Sequence, residues 1–304
     1  MWAGAESSAP LAAWPTAGQT PAAAAPTPGV GCAVRPGEHA CCRYTNACDA
    51  ERVVTGFIYD GLQRGHKVMC LSGDPPMRAL PAALDGMRGP ALASGQVEIR
   101  SANEVYPPDG GFDVDRVLAF WAEALARALG DGYRGLSATG DMSWAAGGDH
   151  GWEHVAEYER RLARVGEDGT LRMLCLYEQA RFATGALWEI SAAHDVEISP
   201  VLAPIGRDAD LACARVLPTG ALRVAGELDY DCADTLADAL RSRLGGDLRV
   251  DLADLRFVDV VGMRALRTQA AQRLSIAGAS EPVRRLLALM GWDTDPQIEV
   301  LATA

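Results

Sequence analysis

The chain has almost no lysine. Of its 28 basic residues only Lys67 is not arginine, while acidic residues number 40, for a net charge of -12. That balance excludes a non-specific nucleic-acid binder, which needs a basic face. The arginine bias goes with abundant alanine and glycine and points to a GC-rich genome, so a lone Arg is no sign of a phosphate site. Aromatic residues are scarce, at 6%. No apolar run approaches the ~20 residues that span a bilayer, so no membrane span is expected. Residues 1–30 lack a basic start and a compact apolar stretch, and their Ala, Pro, Ser and Thr content reads as a disordered tail. Eight cysteines are present and none forms a C-x-x-C pair. His39, Cys41, Cys42 and Cys48 follow a spacing that matches no common zinc pattern, so these thiols are expected to be reduced and to pack as small hydrophobes. No G-x-S-x-G is present, and no Ser/His/Asp order stands out.

What is there is an alternation of strands and helices. Ala50–Arg64 has helical apolar spacing at Val53, Val54, Phe57, Ile58 and Leu62. Lys67–Ser72 is a short buried strand, and a helical stretch follows at Met77–Arg88. Gln96–Arg100 is a strand, and Asp113 caps a helix running to Leu129. A strand near Gly135–Thr139, a helix over His150–Val165, a strand over Thr170–Tyr177 and a helix over Ala180–His194 complete the first unit. This order predicts an α/β fold with a mainly parallel sheet. The pattern lapses around Leu202–Asp210, which places a boundary at 204/205. Beyond it come two strands around a Pro-Thr-Gly turn, a helix at Asp231–Leu244, a strand at Leu248–Leu252, a corner with its helix, a strand at Arg273–Ala277 and a helix at Glu281–Met290. That is a small domain of about 95 residues.

Two places invite chemistry and argue against it. Gly73 follows a strand, as in a phosphate loop, but Asp74, Pro75, Pro76 and Met77 come next. There is no lysine there, and the prolines remove amide donors. His150 and His154 share a helical face like half of a zincin motif, without the adjacent H-E order; a solvated helix start near Asp149 explains them.

HACCRY, GLQRGHKVMCLSGDP, ASGQVEIRSANEVYPPDGGFDVDRVL, GYRGLSATGDMSW, the EYE of Glu157 to Glu159 and LCLYE occur in that order between His39 and Ile198. This segment resembles a MEDS domain, the sensory module of methanogens, methylotrophs and the dichloromethane-responsive repressor. The resemblance implies a three-layer RecA-like fold without a phosphate loop. It also implies sensing of a small molecule, with His39, Tyr44, Tyr106, Asp141, Trp144 and Tyr177 as pocket residues. Core packing is the competing role for each aromatic.

GALRVAGELDYDCADTLADAL, LRVDLADLRFVDVVGMRAL and ASEPVRRLLALMGW resemble a STAS domain, as in anti-sigma factor antagonists. In that family the corner before the helix docks on the anti-sigma factor, often a kinase that phosphorylates a hydroxyl there. Here Asp259 and Gly262 stand in place, but Val260 and Val261 replace the hydroxyl residues. Arg256–Arg267 contains no Ser, Thr or Tyr, which excludes phosphorylation at this corner. Either the corner (Asp259, Val260, Val261, Gly262, Met263) is a permanently competent docking surface, or the valines are buried and the domain serves interaction or dimerisation.

The expectation is a three-layer α/β sensory domain, residues 31–204, joined to a small STAS-type domain, residues 205–304. Its role would be that of a non-enzymatic cytoplasmic regulator with a small-molecule ligand and an anti-sigma factor as partners. It would need no cofactor and no metal, and a homodimer stays open. The competing expectations are a residual nucleotide-binding activity in the first domain, or redox or metal sensing through Cys41, Cys42 and Cys48, with the second domain used for oligomerisation.

Overall fold

The computed structural model describes residues 33–73, 91, 94–106, 112–146, 152–166, 168–200, 211–241 and 246–301. The tail at 1–30, the segment after Gly73, the whole of the 77–88 helix, Asp149, His150 and the 204/205 boundary lie outside these residues. Within them, twelve strands form one sheet. The first half is β1 (His39–Tyr44), β2 (Lys67–Ser72), β3 (Val97–Ser101), β4 (Leu136–Asp141), β5 (Leu171–Glu178) and β6 (Val196–Ile198). They run in the order β6-β1-β5-β4-β2-β3 and every pairing is parallel. Such strands are covered on both faces, which is why KVMCLS and LRMLCLYE read as continuous runs rather than alternations.

Adjacent strand residues point to opposite faces. Cys42 joins one core with Val54, Phe57 and Ile58 of α1 (Ala47–Gln63). Cys41 joins the other core. That side holds α2 (Ala102–Val105), α3 (Val114–Gly130), α4 (Trp152–Leu162) and α5 (Thr184–Ala192). The result is helix, sheet, helix: three layers, as expected. Helix starts follow local chemistry. The Asn46 side chain accepts from the Cys48 amide at 2.9 Å, and Asp113 accepts from the Arg116 amide at 3.1 Å, each satisfying an otherwise orphaned donor.

The second half begins with a hairpin, β7 (Leu211–Val216) and β8 (Ala221–Leu228), followed by α6 (Tyr230–Arg241), β9 (Leu248–Asp251), β10 (Leu255–Val258) and α7 (Val260–Gln269). β11 (Leu274–Ala277), α8 (Glu281–Leu289) and β12 (Ile298–Val300) close it. The strands β1, β6, β10 and β12 are not in the sequence-based assignment. They are short or hold too few alternating residues to register as periodicity. The corner therefore follows β10, which pairs parallel with β8, and not the strand ending at Leu252. Apolar residues of α6, α7 and α8 pack on one sheet face around Leu228, Val250 and Ile276.

The two halves are not beads on a string. β6 pairs antiparallel with β7, in the register Val196↔Val216, Glu197↔Arg215, Ile198↔Ala214. One apolar core runs from α1 across β6 to Ala212, Ala214 and Ala225. Beside it, buried Arg223 on β8 makes two bonds to the Glu38 carboxylate, at 2.6 and 2.7 Å, and a third to the Ala33 carbonyl at 2.9 Å. Arg35 reaches Asp251 and Asp254 at 2.9 and 2.7 Å. A planar guanidinium gripping a carboxylate by two bonds fixes orientation as well as charge.

His66, buried between α1 and β2, titrates abnormally. Burial and the nearby Arg172, Arg64 and Arg134, against Asp60 alone, push its pKa down to about 4 from 6.5. Its Nδ1 lies 3.0 Å from Ser137 Oγ. Between those two values the unfolded chain binds the extra proton and the folded one does not. This contribution to stability is full above 6.5 and is lost as pH falls toward 4. Denaturation midpoints measured across that window should fall with pH, and His66→Gln should flatten the slope.

Candidate functional site

Four polar side chains from distant segments meet in the interior of the first half. His39 opens β1, Cys175 lies on the neighbouring β5, Glu159 projects from α4, and His194 follows α5. All four are buried. His39 Nε2 is 3.1 Å from Glu159 Oε2 and 3.3 Å from Cys175 Sγ. The same Glu159 oxygen is 3.7 Å from Cys175 Sγ and 3.7 Å from His194 Nε2. Its other oxygen accepts from the Tyr177 hydroxyl. The two imidazoles are tilted against each other with centroids 4.1 Å apart.

The protonation pattern follows from these contacts. Burial would raise the Glu159 pKa, but the hydrogen bonds from His39 and Tyr177, with the electrostatic pull of the neighbouring imidazoles on the charged form, hold it below the usual carboxylate value. Burial, and then the Glu159 charge, push Cys175 and Tyr177 well up, so both keep their protons. Burial and His39 push His194 down to about 3, so it is neutral at pH 7. Its Nδ1 lies 2.7 Å from the Ile190 carbonyl, which can only accept, so that nitrogen carries the hydrogen. Nε2 is then a bare lone pair, buried and without a hydrogen-bond partner, facing a carboxylate oxygen.

The six expected pocket residues separate into three pairs. His39 and Tyr177 belong to the cluster just described. Tyr44 donates to Asp141 at 3.3 Å, and the Asp141 carboxylate also accepts from the Ser143 amide at 2.7 Å. Burial and the Asp141 charge push Tyr44 far up. Tyr106 and Trp144 stack at 4.2 Å with a 9° interplanar angle. Phe112 lies against both rings, and Tyr158 joins Tyr106 hydroxyl to hydroxyl at 2.9 Å while accepting from Trp121 Nε1 at 2.9 Å. Trp144 Nε1 is buried without a partner. Sequence reasoning missed Glu159, Cys175 and His194 as site residues. Glu159 and Cys175 stand inside motifs quoted for the resemblance, whereas nothing local marks His194.

The cysteine trio does not converge. Cys41 and Cys42 are buried on opposite faces of β1, as strand alternation requires, and Cys48 is exposed at the start of α1. His154 lies on the exposed side of α4.

At the corner of the second half, Asp259 caps α7. Its carboxylate accepts from the Gly262 amide at 2.7 Å and from the Tyr230 amide at 3.1 Å. Val260 and Val261 are 37% and 40% exposed, so the reading that buries them is overturned. Phe257 and Tyr230, at 51% and 73%, are exposed beside the corner in sequence and through the Asp259 bond. Gly262 and Met263 are buried. Met263 packs with Leu228, Leu236 and Leu266, so it faces the core and presents nothing to a partner. The helical turn explains the split: with Asp259 at the cap, the first two helical positions point out and the next two point in.

Against protein-family profiles, residues 38–195 match MEDS, the MEthanogen/methylotroph, DcmR Sensory domain. The chain belongs to the MEDS family. Residues 212–302 match a second profile, STAS_2, described as Mlab, STAS domain. No curated protein matches the chain. Among solved structures, the flagellar accessory protein FlaH from Methanocaldococcus jannaschii is 12% identical over 60% of this chain and 79% of its own, with a TM-score of 0.40. The RadB recombinase is 10% identical over 64% of this chain and 88% of its own, with a TM-score of 0.41. The protein thus places a sensory domain before a STAS domain, an arrangement of the signalling and regulatory class. No helix of the described residues is long and apolar enough to cross a membrane.

Proposed function

We propose that the protein is a non-enzymatic cytoplasmic regulator. Its MEDS domain responds to a small molecule, and its STAS domain docks on a protein partner, an anti-sigma factor, through the α7 corner. The observation that carries this reading is the exposure of Val260 and Val261 at a helix start whose cap, Asp259, is intact. An apolar surface beside a rigid turn suits docking, and with no hydroxyl from Arg256 to Arg267 it cannot be closed by phosphate at the usual corner positions. Control then falls to the other domain. The shared strands β6 and β7 and the Arg223–Glu38 pair supply a mechanical route for it. A ligand can act along that route only if it binds two states of the protein unequally.

The test is capture of the full-length protein's partners from its host, wild type beside Val261→Asp. Wild type should retain an anti-sigma-type protein. The variant buries an unpaired carboxylate on docking and should weaken that complex by at least about 30-fold, the ~2 kcal/mol typical of a hot-spot residue. Equal retention by both would remove the corner from the interface.

A further inference from the structure

The geometry points to a metal site in the MEDS domain: His39 Nε2, Glu159 Oε2, Cys175 Sγ and His194 Nε2 bind one divalent transition-metal ion of the zinc class. The inference rests on the four side chains alone and does not depend on the STAS corner or its partner.

The first argument is distance. Zinc, with nitrogen and oxygen donors at about 2.0–2.2 Å and sulfur at about 2.3 Å, holds tetrahedral donors roughly 3.3–3.6 Å apart. The four measured separations are 3.1, 3.3, 3.7 and 3.7 Å, and all four ligand atoms lie within 4.8 Å of one another. The second argument is the unpartnered group. With its Nδ1–H held by the Ile190 carbonyl, His194 turns a lone pair toward a carboxylate oxygen in a dry interior. Two acceptors facing each other repel, and a cation between them turns both contacts favourable. A ring N–H bonded to a backbone carbonyl is also the usual outer-shell support of a metal-binding histidine. The third argument is charge. A thiolate and a carboxylate with two neutral imidazoles carry two negative charges, which a divalent ion neutralises, so the loaded site buries no net charge.

Binding is acid–base chemistry without electron transfer. Cys175 gives up its thiol proton to solvent, and His39 takes the tautomer with hydrogen on Nδ1, freeing Nε2 for the metal. Tyr177 continues to donate to the second oxygen of Glu159 and orients that carboxylate. Four protein donors close a tetrahedron and leave no position for a reacting water, so the class is a structural or sensory centre rather than a hydrolytic one. Its place matters: His194 stands two residues before β6, the strand that pairs with the STAS domain. Asp195 between them binds the His39 amide through its side chain and the Leu217 amide through its carbonyl, both at 2.9 Å.

The experiment uses full-length protein produced in zinc- or cobalt-supplemented medium and purified under reducing conditions without chelator. Elemental analysis should find one metal per chain. The cobalt form should show a thiolate-to-metal charge-transfer band, and X-ray absorption of the zinc form should show one sulfur and three nitrogen or oxygen neighbours. Cys175→Ser should abolish the charge-transfer band, and His194→Gln should lose more affinity than the roughly 10–100-fold that follows removal of an outer-shell partner. Cys48→Ser, at an exposed thiol, should change nothing. Wild-type protein without bound metal, or a metal shell lacking sulfur, would overturn the proposal whether or not the variants fold. So would a charge-transfer band that Cys48→Ser removes.

Discussion

Replacing Asp60 with leucine is expected to cost about 3–5 kcal/mol of stability, the range seen when one member of a buried ion pair is deleted. Asp60 on α1 and Arg172 on β5 are fully buried and bonded to each other, and the Arg172 guanidinium lies 4.8 Å from the Phe57 ring centre. Two of the Arg172 nitrogens have no hydrogen-bond partner, so Asp60 is what compensates its charge. The reverse deletion should be milder. Asp60 also accepts from Arg64 at 2.7 Å, a partly exposed cation that would remain after Arg172→Met. The double variant, Asp60→Leu with Arg172→Met, replaces the pair with apolar groups of similar length. It should recover most of the loss, because neither desolvated charge remains. Urea midpoints of the four proteins check the set. A cost below about 1 kcal/mol for Asp60→Leu alone would mean that Arg172 is hydrated, as at a surface pair.

Gly262→Ala should destabilise the STAS domain and disable its corner together. A β-carbon at this position would come within 2.7 Å of Leu228 Cγ and 2.8 Å of the Leu228 carbonyl carbon, and closer still to the carbonyl oxygen. Alanine is the better helix former by about 1 kcal/mol, which on an open helix would stabilise. Here the obstacle is the backbone of β8, which cannot rotate aside, and overpacking of this kind costs about 1–3 kcal/mol or more. The clash should win. Relief requires α7 to lift from β8, and that strains the bonds from Asp259 to the Gly262 and Tyr230 amides. Thermal denaturation should therefore fall by several degrees, and partner capture should drop as for Val261→Asp, although no charge is introduced. Full stability and undiminished capture in Gly262→Ala would show that the helix start is not held against Leu228.

Much of the architecture was legible in the order of residues. The strand KVMCLS, the helix capped by Asp113, the Pro-Thr-Gly hairpin and the helix opened by Glu281 and Pro282 appear where their local chemistry puts them, because periodicity and caps act over a few neighbours. The strands β1, β6, β10 and β12 carried too little pattern, the last three because they are only three or four residues long. Their place is fixed by the neighbours they pair with: β5 and β6 for β1, β1 and β7 for β6, β8 for β10 and β11 for β12.

The candidate sites divide in the same way. That the corner at Asp259 lacks a hydroxyl is a property of the sequence alone, since no fold can supply an atom the residues do not have. Whether Val260 and Val261 face solvent while Met263 faces the core was decided only when α7 packed on β8, because a helix start of four apolar or small residues has no intrinsic inside. The metal-ligating set lay furthest from reach. His39 and Cys175 are 136 residues apart and meet because β1 and β5 are sheet neighbours. Glu159 and His194 arrive on crossover connections whose lengths say nothing of where they land. Composition and local periodicity determined an α/β unit followed by a smaller one, with a single lysine and no apolar run long enough to span a bilayer; the sensory role came from the resemblance its motifs carry. The pairing of strands distant in sequence decided which polar groups are buried together, because burial forces them to satisfy one another or bind something that does.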